Sequence, residues 1–458
     1  MRNANIVKSD RGQTIIIYAL VVPILILFAG FAIDAGILYV TKAKLSTAVD
    51  GATLTGMKNL QSGQTTASTL AADIFAANYG AGAPTPTITF PTDPYGDQQV
   101  KVTATVNVNT LFMRYLSNWR TVPVADTAVA TRGKLVMSLV LDRSGSMTTD
   151  GGQTALVSAV PTFVNFFDNA TDQVALLSFS SNARIDFPIG YNFQSPISTD
   201  VANMVFSGGT FGTGAGTGAL LNATMGAPLS MADAQNTSIP INPGQNVIKV
   251  LVYFTDGLMN ASQDNFYCGP TAQNTLIDYG GYDSGTTVGF LDPTCSPDAS
   301  DNNCTNESGH ISEWGTCNNG CSSSSGFPYD KAGDICKNAA GQNVTTFLSQ
   351  QTGQQTAFTR ANVTAETQYR AIQTANAMRT EAVPTFIYTI GLGTGVSPTT
   401  QAFLGQLAND PTYTATYIAS QPAGEFFYIQ NCPGSACTAE LTSAFQTIAA
   451  KVVLRLTQ

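Results

Sequence analysis

The chain has 458 residues, of which 43% are hydrophobic and only 11% charged; with 21 Lys+Arg against 30 Asp+Glu the net charge is 21 − 30 = −9. This length suits two or three domains, and the apolar content is enough for real cores. An acidic chain without a basic face is excluded as a nucleic-acid binder. Its plentiful aromatics exclude a disordered chain, and its uncharged, hydroxyl-rich polar residues suit an exported protein.

Between Arg11 and Asp34 lie 22 residues without a charge, 12–33, centred on the apolar run Ile15–Ile33. About 20 such residues cross a bilayer as a helix, whereas a secretory signal has a shorter apolar core. Pro23 is tolerated in such a helix. Arg2, Lys8 and Arg11 precede the span, and Lys42 and Lys44 follow it. This places the N-terminus in the cytoplasm and the bulk of the chain outside. Asp34, at the outer edge, reads as a solvated interfacial acid.

From Leu45 to Phe75 the Ala, Thr and Leu residues have helical spacing, with a break near Gly63. Arg11-Gly12-Gln13, Ala19-Leu20, Pro23, Phe31-Ala32-Ile33-Asp34 and Val49-Asp50-Gly51-Ala52 together resemble the N-terminal region of Tad (tight-adherence) pilus-assembly proteins of the TadG type. The resemblance implies a single-pass protein of the bacterial inner membrane, its bulk periplasmic or extracellular. Type IV pilins carry a Glu five places after the cleaved Gly; counted from Gly12 that place is Ile17 here. This departure speaks against a processed, polymerising subunit.

Residues 81–96 are rich in Gly, Pro and Thr and read as loop. Gln98–Leu111 and Val122–Thr131 alternate apolar and polar residues, the period of half-buried strands. The expected organisation is therefore a membrane segment with its flanks over 1–44 and a helix plus small β-rich linking region over 45–133. A site-bearing domain over 134–458 completes the chain, interrupted by an insertion at about 260–353.

Lys134–Leu141 is a continuous apolar run of the kind found in a central parallel strand. Helical spacing over 153–168, then apolar runs at Val174–Phe179, Val247–Phe254 and Thr385–Leu392 and a helical stretch at Ala365–Ala382, predict a doubly wound, Rossmann-like α/β sheet. The chain closes on an amphipathic helix, Ala439–Leu456, with Val452–Gln458 readable instead as a strand.

In such sheets ligands bind beyond the carboxyl ends of the strands. Asp142, Ser144 and Ser146 follow one strand, Thr255-Asp256-Gly257 another, and a glycine-rich loop between them carries Thr210. One or two carboxylates with several hydroxyls make a hard-oxygen site that suits magnesium, with manganese chemically close. The alternative is that Asp142 or Ser144 only caps the next helix. These residues resemble the von Willebrand factor type A (vWA) domain and its metal-ion-dependent adhesion site. Asp142, Ser144 and Ser146 match the first motif of that site, Thr210 its threonine and Asp256 its later aspartate; Thr213 is an alternative to Thr210. The resemblance implies one divalent cation, Mg²⁺ or Mn²⁺, whose open position is filled by a carboxylate from a partner protein.

All eight cysteines follow residue 260: Cys268, Cys295, Cys304, Cys317, Cys321 and Cys336 in the insertion, then Cys432 and Cys437. An even number outside the membrane predicts disulfides; Cys317 and Cys321 are spaced Cys-x3-Cys, which argues against zinc. The insertion lacks long periodic segments and reads either as a partner-binding surface or as a stapled decoration. Its acids Asp292, Asp298, Asp301, Glu307, Asp330 and Asp334 match no EF-hand spacing and read as solvated surface.

His310 is the only histidine, no Gly-x-Ser-x-Gly elbow is present, and the glycine-rich loop at 208–218 is no P-loop. The expectation is a non-enzymatic, membrane-anchored, metal-dependent binding component of a Tad-type pilus or secretion system. The alternatives are a minor or tip pilus subunit released from the membrane and, with no evident general base, a metallohydrolase using Asp142 and Asp256.

Overall fold

The computed structural model describes residues 11–60, 63–117, 119–179, 183–206, 228–242, 245–259, 261–268, 273–281, 287–291, 315–318, 335–338, 340–434 and 436–456. The chain divides between Arg132 and Gly133 into two compact units.

The first unit begins with one unbroken helix, α1 (Arg11–Lys58), of 48 residues. At 1.5 Å per residue it is about 72 Å long, more than twice the ~30 Å of a bilayer's hydrocarbon. Its first part leaves Ile15 to Phe28 outward-facing, and it is the one described helix long and apolar enough to cross a membrane. Its last part buries Leu45, Ala48, Val49 and Ala52, an i, i+3, i+4, i+7 stripe. That stripe meets Ala67, Ala71 and Phe75 of α2 (Gln64–Tyr79) in one core. Gly63, at φ +98°, makes the break between the two helices.

Three antiparallel strands complete this unit: β1 (Thr87–Thr89), β2 (Gln99–Asn109) and β3 (Thr121–Thr131), with a short helix α3 (Arg114–Ser117) between the last two. β2 and β3 pair along their whole length, Gln99↔Thr131 to Asn109↔Thr121. Val100, Val102 and Ala104, on one face, join the helix core. The stretch 81–96, expected to be loop throughout, contains β1.

Asp34 is not a solvated acid. It is 1% exposed, and its carboxylate accepts hydrogen bonds from the amides of Leu111, Phe112 and Met113 at 2.8, 2.8 and 2.7 Å. The chain leaves β2 with three consecutive amides outside any ladder, and buried amides require a partner.

The second unit is built on a six-stranded sheet. In chain order come β4 (Lys134–Asp142), α4 (Ser146–Thr149), α5 (Gly152–Val164), β5 (Gln173–Phe179), β6 (Ala183–Gly190), α6 (Gln194–Ala202), α7 (Pro228–Thr237) and β7 (Val247–Thr255). The insertion follows with β8 (Ala261–Cys268), β9 (Gln273–Gly281), β10 (Thr287–Leu291) and β11 (Gly315–Asn318). Next are β12 (Thr346–Leu348), β13 (Gln355–Ala357), α8 (Arg360–Arg379), β14 (Thr385–Leu392), α9 (Pro398–Ala408), β15 (Glu425–Ile429) and α10 (Cys437–Leu456). The main sheet has the order β15-β14-β7-β4-β5-β6, parallel except for the antiparallel edge strand β6.

β4 and β7 are buried along nearly their whole length because both faces are covered. On one face Leu135, Met137, Leu139 and Leu141 pack with α5, α6 and α10; on the other Val140, Leu251 and Tyr253 pack with α7, α8 and α9. The doubly wound α/β expectation is met. The chain's end is helical to Leu456, so the strand reading of 452–458 is not.

The insertion does contain regular structure: β8 to β11 form an antiparallel four-stranded sheet. Asp264, Glu366 and Arg370 tie it to α8. The Arg370 guanidinium, 1% exposed, donates to Glu366 and lies 3.4 Å from Asp264. The Ser262 and Thr367 hydroxyls are 2.7 Å apart alongside. Removing one member of a buried ion group costs about 3 kcal/mol or more, since it strands the other charge; an exposed pair is worth less than ~1 kcal/mol. Glu366→Ala should therefore lower the stability of the oxidised full chain by about 3 kcal/mol in urea unfolding, and Lys451→Ala, which removes the exposed Lys451–Glu425 pair, by less than ~1 kcal/mol.

Candidate metal centre

β4 is the first strand of its sheet, and the order departs from it in both directions: to β5 and β6 on one side, to β7, β14 and β15 on the other. This is a topological switch point, where doubly wound sheets open a crevice at the carboxyl ends. The parallel register Leu141↔Phe254 brings the ends of β4 and β7 side by side, and with them Asp142 and Thr255-Asp256.

Asp142 is wholly buried and fixed from both sides. Its Oδ1 accepts from the Ser144 amide at 2.8 Å, and its Oδ2 from the Thr255 hydroxyl at 2.8 Å. The first of these bends the chain so that Ser144 and Ser146 turn to the same point, their Oγ atoms 3.0 Å apart. The cap of α4 is Gly145 with no side-chain bond, so Asp142 and Ser144 do not act as its helix cap.

Asp256 is 1% exposed, and neither carboxylate oxygen has a hydrogen-bond partner. Burial, then the charges of Asp142 and Asp150, push its carboxyl up to about 8; the Ser146 hydroxyl is near enough to oppose this, though outside hydrogen-bond geometry. Asp142 is raised by burial too, against the bonds from Ser144, Thr255 and the Asp256 amide. A buried carboxylate without a donor costs several kcal/mol unless it is protonated or meets a cation.

The turn after β14 closes the site. A Cβ on Gly395 would stand 2.8 Å from the Asp256 carbonyl oxygen, and one on Gly393, at φ +81°, 3.3 Å from Asp150 Oδ2. Only glycines allow so close an approach there.

Asp142, Ser144, Ser146 and Asp256 are thus brought together. Thr210 and its alternative Thr213 lie outside the described residues, as do His310, Cys295, Cys304, Cys321 and the six insertion acids. Cys268 ends β8 and Cys317 lies in β11; Cys336 is disulfide-bonded, and Cys432 and Cys437 are joined to each other. Thr255 and Asp150 are the members the sequence reading passed over. A hydroxyl directly before the strand-end acid was visible in Thr255-Asp256-Gly257, but its aim at Asp142 depends on the β4–β7 register. Among the described residues no three His, Cys, Asp or Glu side chains form a ready metal cluster. A cation here would rest on two carboxylates and hydroxyls, a set that suits a hard ion keeping several waters.

Residues 137–275 match the model of the von Willebrand factor type A domain. This part of the chain is similar to a vWA domain. Residues 12–62 match a second model, the putative Flp pilus-assembly TadE/G-like family. No curated protein matches the chain. Solved structures similar to it include the vWF domain of the type V pili tip protein Mfa5 from Porphyromonas gingivalis, 12% identical, TM-score 0.37, covering 71% of this chain and 97% of that one. Another is the PilB minor pilin from Streptococcus sanguinis, 12% identical, TM-score 0.35, covering 81% and 78%. A third is the pilus adhesin SpaC from Lactobacillus rhamnosus GG, 12% identical, TM-score 0.36, covering 82% and 34%.

The pair of buried acids has a pH signature. Asp256 titrates near 3.8 when unfolded and at about 8 when folded, so the folded state holds the extra proton between them. Its stabilisation is full below pH ~4 and is lost as pH rises through ~8, at up to about 1.4 kcal/mol per pH unit. Asp233, pushed up to about 7 by burial and by Glu381, has the same sign. In a chelator, stability of the parent should fall between pH 5 and 8, and Asp256→Asn should flatten that slope relative to the parent, measured by urea unfolding across the range.

Proposed function

We propose that this is a membrane-anchored, pilus-associated protein whose vWA domain binds a protein partner through a divalent cation. A Tad-type assembly segment and a vWA domain in one chain support a pilus-associated adhesion or structural role. The long apolar α1 fits membrane anchoring. The finer reading is the bacterial inner membrane, with the vWA domain on its outer side.

The observation that carries metal dependence is the buried Asp256 carboxylate, which lacks a donor beside the fully bonded Asp142. Asp142, Ser144, Ser146 and Asp256, with Thr210, would hold Mg²⁺ or Mn²⁺. When bound, such a cation supplies a charged point at which an outside carboxylate can be held. The chain's own residues do the rest. Thr255 and the Ser144 amide hold Asp142 in one orientation, and the β4–β7 register sets the spacing of the two acids. Asp256 brings charge without a competing hydrogen bond, and small hydroxyls leave room for water and for a partner. We read this arrangement as one that binds a partner.

Thermal unfolding of the oxidised full chain in detergent, with and without Mg²⁺ or Mn²⁺, tests this. Cation at ~100-fold above Kd should stabilise by about 2.7 kcal/mol, a rise of roughly 5–10 °C in Tm. Asp142→Ala/Asp256→Ala should show no rise. A folded parent with no shift would sink the metal-dependent reading.

A further inference from the structure

The end of the β2–β3 hairpin carries a feature that the pilus-associated, metal-dependent reading does not use. Its connection is closed at the base by Thr110, whose amide donates to the Arg120 carbonyl at 3.1 Å and whose hydroxyl donates to the Trp119 carbonyl. Asp34 holds the next three amides, so the tip is fixed at the point where the apolar run of α1 ends. Phe112 then turns back along the helix. Gly30 lies one turn before Asp34, about 6 Å deeper in the span. A Cβ there would stand 2.4 Å from the Phe112 ring.

What this tip exposes does not suit water. Tyr115 is 82% exposed, Trp119 57%, Leu111 53% and Phe112 37%. Four large apolar or aromatic side chains left exposed within nine residues are of the kind that marks an interaction site. Two cations flank it: the Arg114 guanidinium lies 5.7 Å from the Tyr115 ring centre, and Arg120 closes the loop. Trp and Tyr with Arg beside them are the composition of a membrane interface, where the ring bodies sit among acyl chains and the cations reach phosphates.

We propose that this hairpin tip is a second membrane anchor, seated in the headgroup–acyl boundary of the leaflet from which α1 emerges. Leu111, Phe112, Tyr115 and Trp119 enter the boundary, and Arg114 and Arg120 meet lipid phosphates. The occupant is phospholipid because the tip is clamped to the membrane-spanning helix itself, at Asp34 and Gly30. The inference rests on α1 crossing the bilayer. With two attachments, the first unit is held at a set angle to the membrane rather than swinging on one helix.

The full chain has two tryptophans, so Trp314→Phe leaves Trp119 as sole reporter. In phospholipid nanodiscs, lipids brominated near the headgroup should quench most of the Trp119 emission, and aqueous iodide should quench little. Gly30→Leu, which displaces Phe112, should lose bromolipid quenching and gain iodide access. A second reporter, Tyr18→Trp with Trp119→Phe and Trp314→Phe, reads the span alone. Tyr18→Trp quenched by bromolipid with Trp119 open to iodide overturns the anchor while the span stands. Tyr18→Trp untouched by bromolipid overturns both. Trp119 reached by neither quencher means that protein covers the tip, and overturns the lipid assignment.

Discussion

Two carboxylates buried side by side at the ends of adjacent parallel strands are the constraint around which the second unit is arranged. Parallel pairing of β4 with β7 leaves no freedom in the matter: if Leu141 faces Phe254, Asp142 must meet Thr255-Asp256. Burying like charges together is unfavourable, and the fold compensates only half of it. Asp142 has both oxygens bonded, while Asp256 has neither. One acid is therefore a fixed strut and the other a demand for positive charge. The core behind them makes the demand persistent. Tyr253, near the end of the same sheet ladder, stacks on Phe179 with ring centres 5.6 Å apart and an angle of 3°. Close-packed aromatic walls keep the carboxyl ends from relaxing outward to water.

The insertion shares that edge. β8 starts five residues after Asp256, so its sheet springs from the crevice. The Arg370–Asp264 and Ser262–Thr367 contacts fasten its first strand to α8. On the other side of the site the loop after β15 is drawn together by the Cys432–Cys437 disulfide, and Pro433 packs within 3.3 Å of where a Gly151 Cβ would stand. Loops that carry specificity work best on supports that do not move. Both flanks of this crevice have such supports.

The strands that build the site were legible because each is a long apolar run with one structural meaning: β4, β5, β7 and β14 are buried on both faces. β6 and β15 were not. β6 (ARIDFPIG) is an edge strand with mixed exposure and a register shift opposite Val174–Leu177, and β15 has only five residues. β8 (ASQDNFYC) is a polar strand with no apolar period to betray it. Asp142, Ser144 and Ser146 were readable as chemistry since their spacing is local, and Asp256 since it directly follows an apolar strand. Thr255 and Asp150 were not, because their roles exist only once strands distant in sequence are paired. Asp34 is the sharpest case. Its partners are backbone amides 77 to 79 residues away, and a backbone amide leaves no mark on a sequence.

α1 joins two solvents in one element. Through Phe28 its side chains point outward, as a helix in lipid requires. From Leu45 the same helix buries small residues against α2 and β2, as a helix in a water-soluble core requires. Between these regimes lies a stretch held by charge: Asp34 to the hairpin end, then Lys42 to Asp126 and to the Ala125 carbonyl at 2.8 and 2.7 Å. Polar contacts there give the acid and the amides at the junction of the two regimes their partners. Because one helix runs from Arg11 to Lys58, its apolar part and the part that joins the core are a single element. Gly63 supplies the first break, after the core contacts of α1 have been made. The segment matched to the pilus-assembly family, 12–62, therefore takes in nearly all of α1.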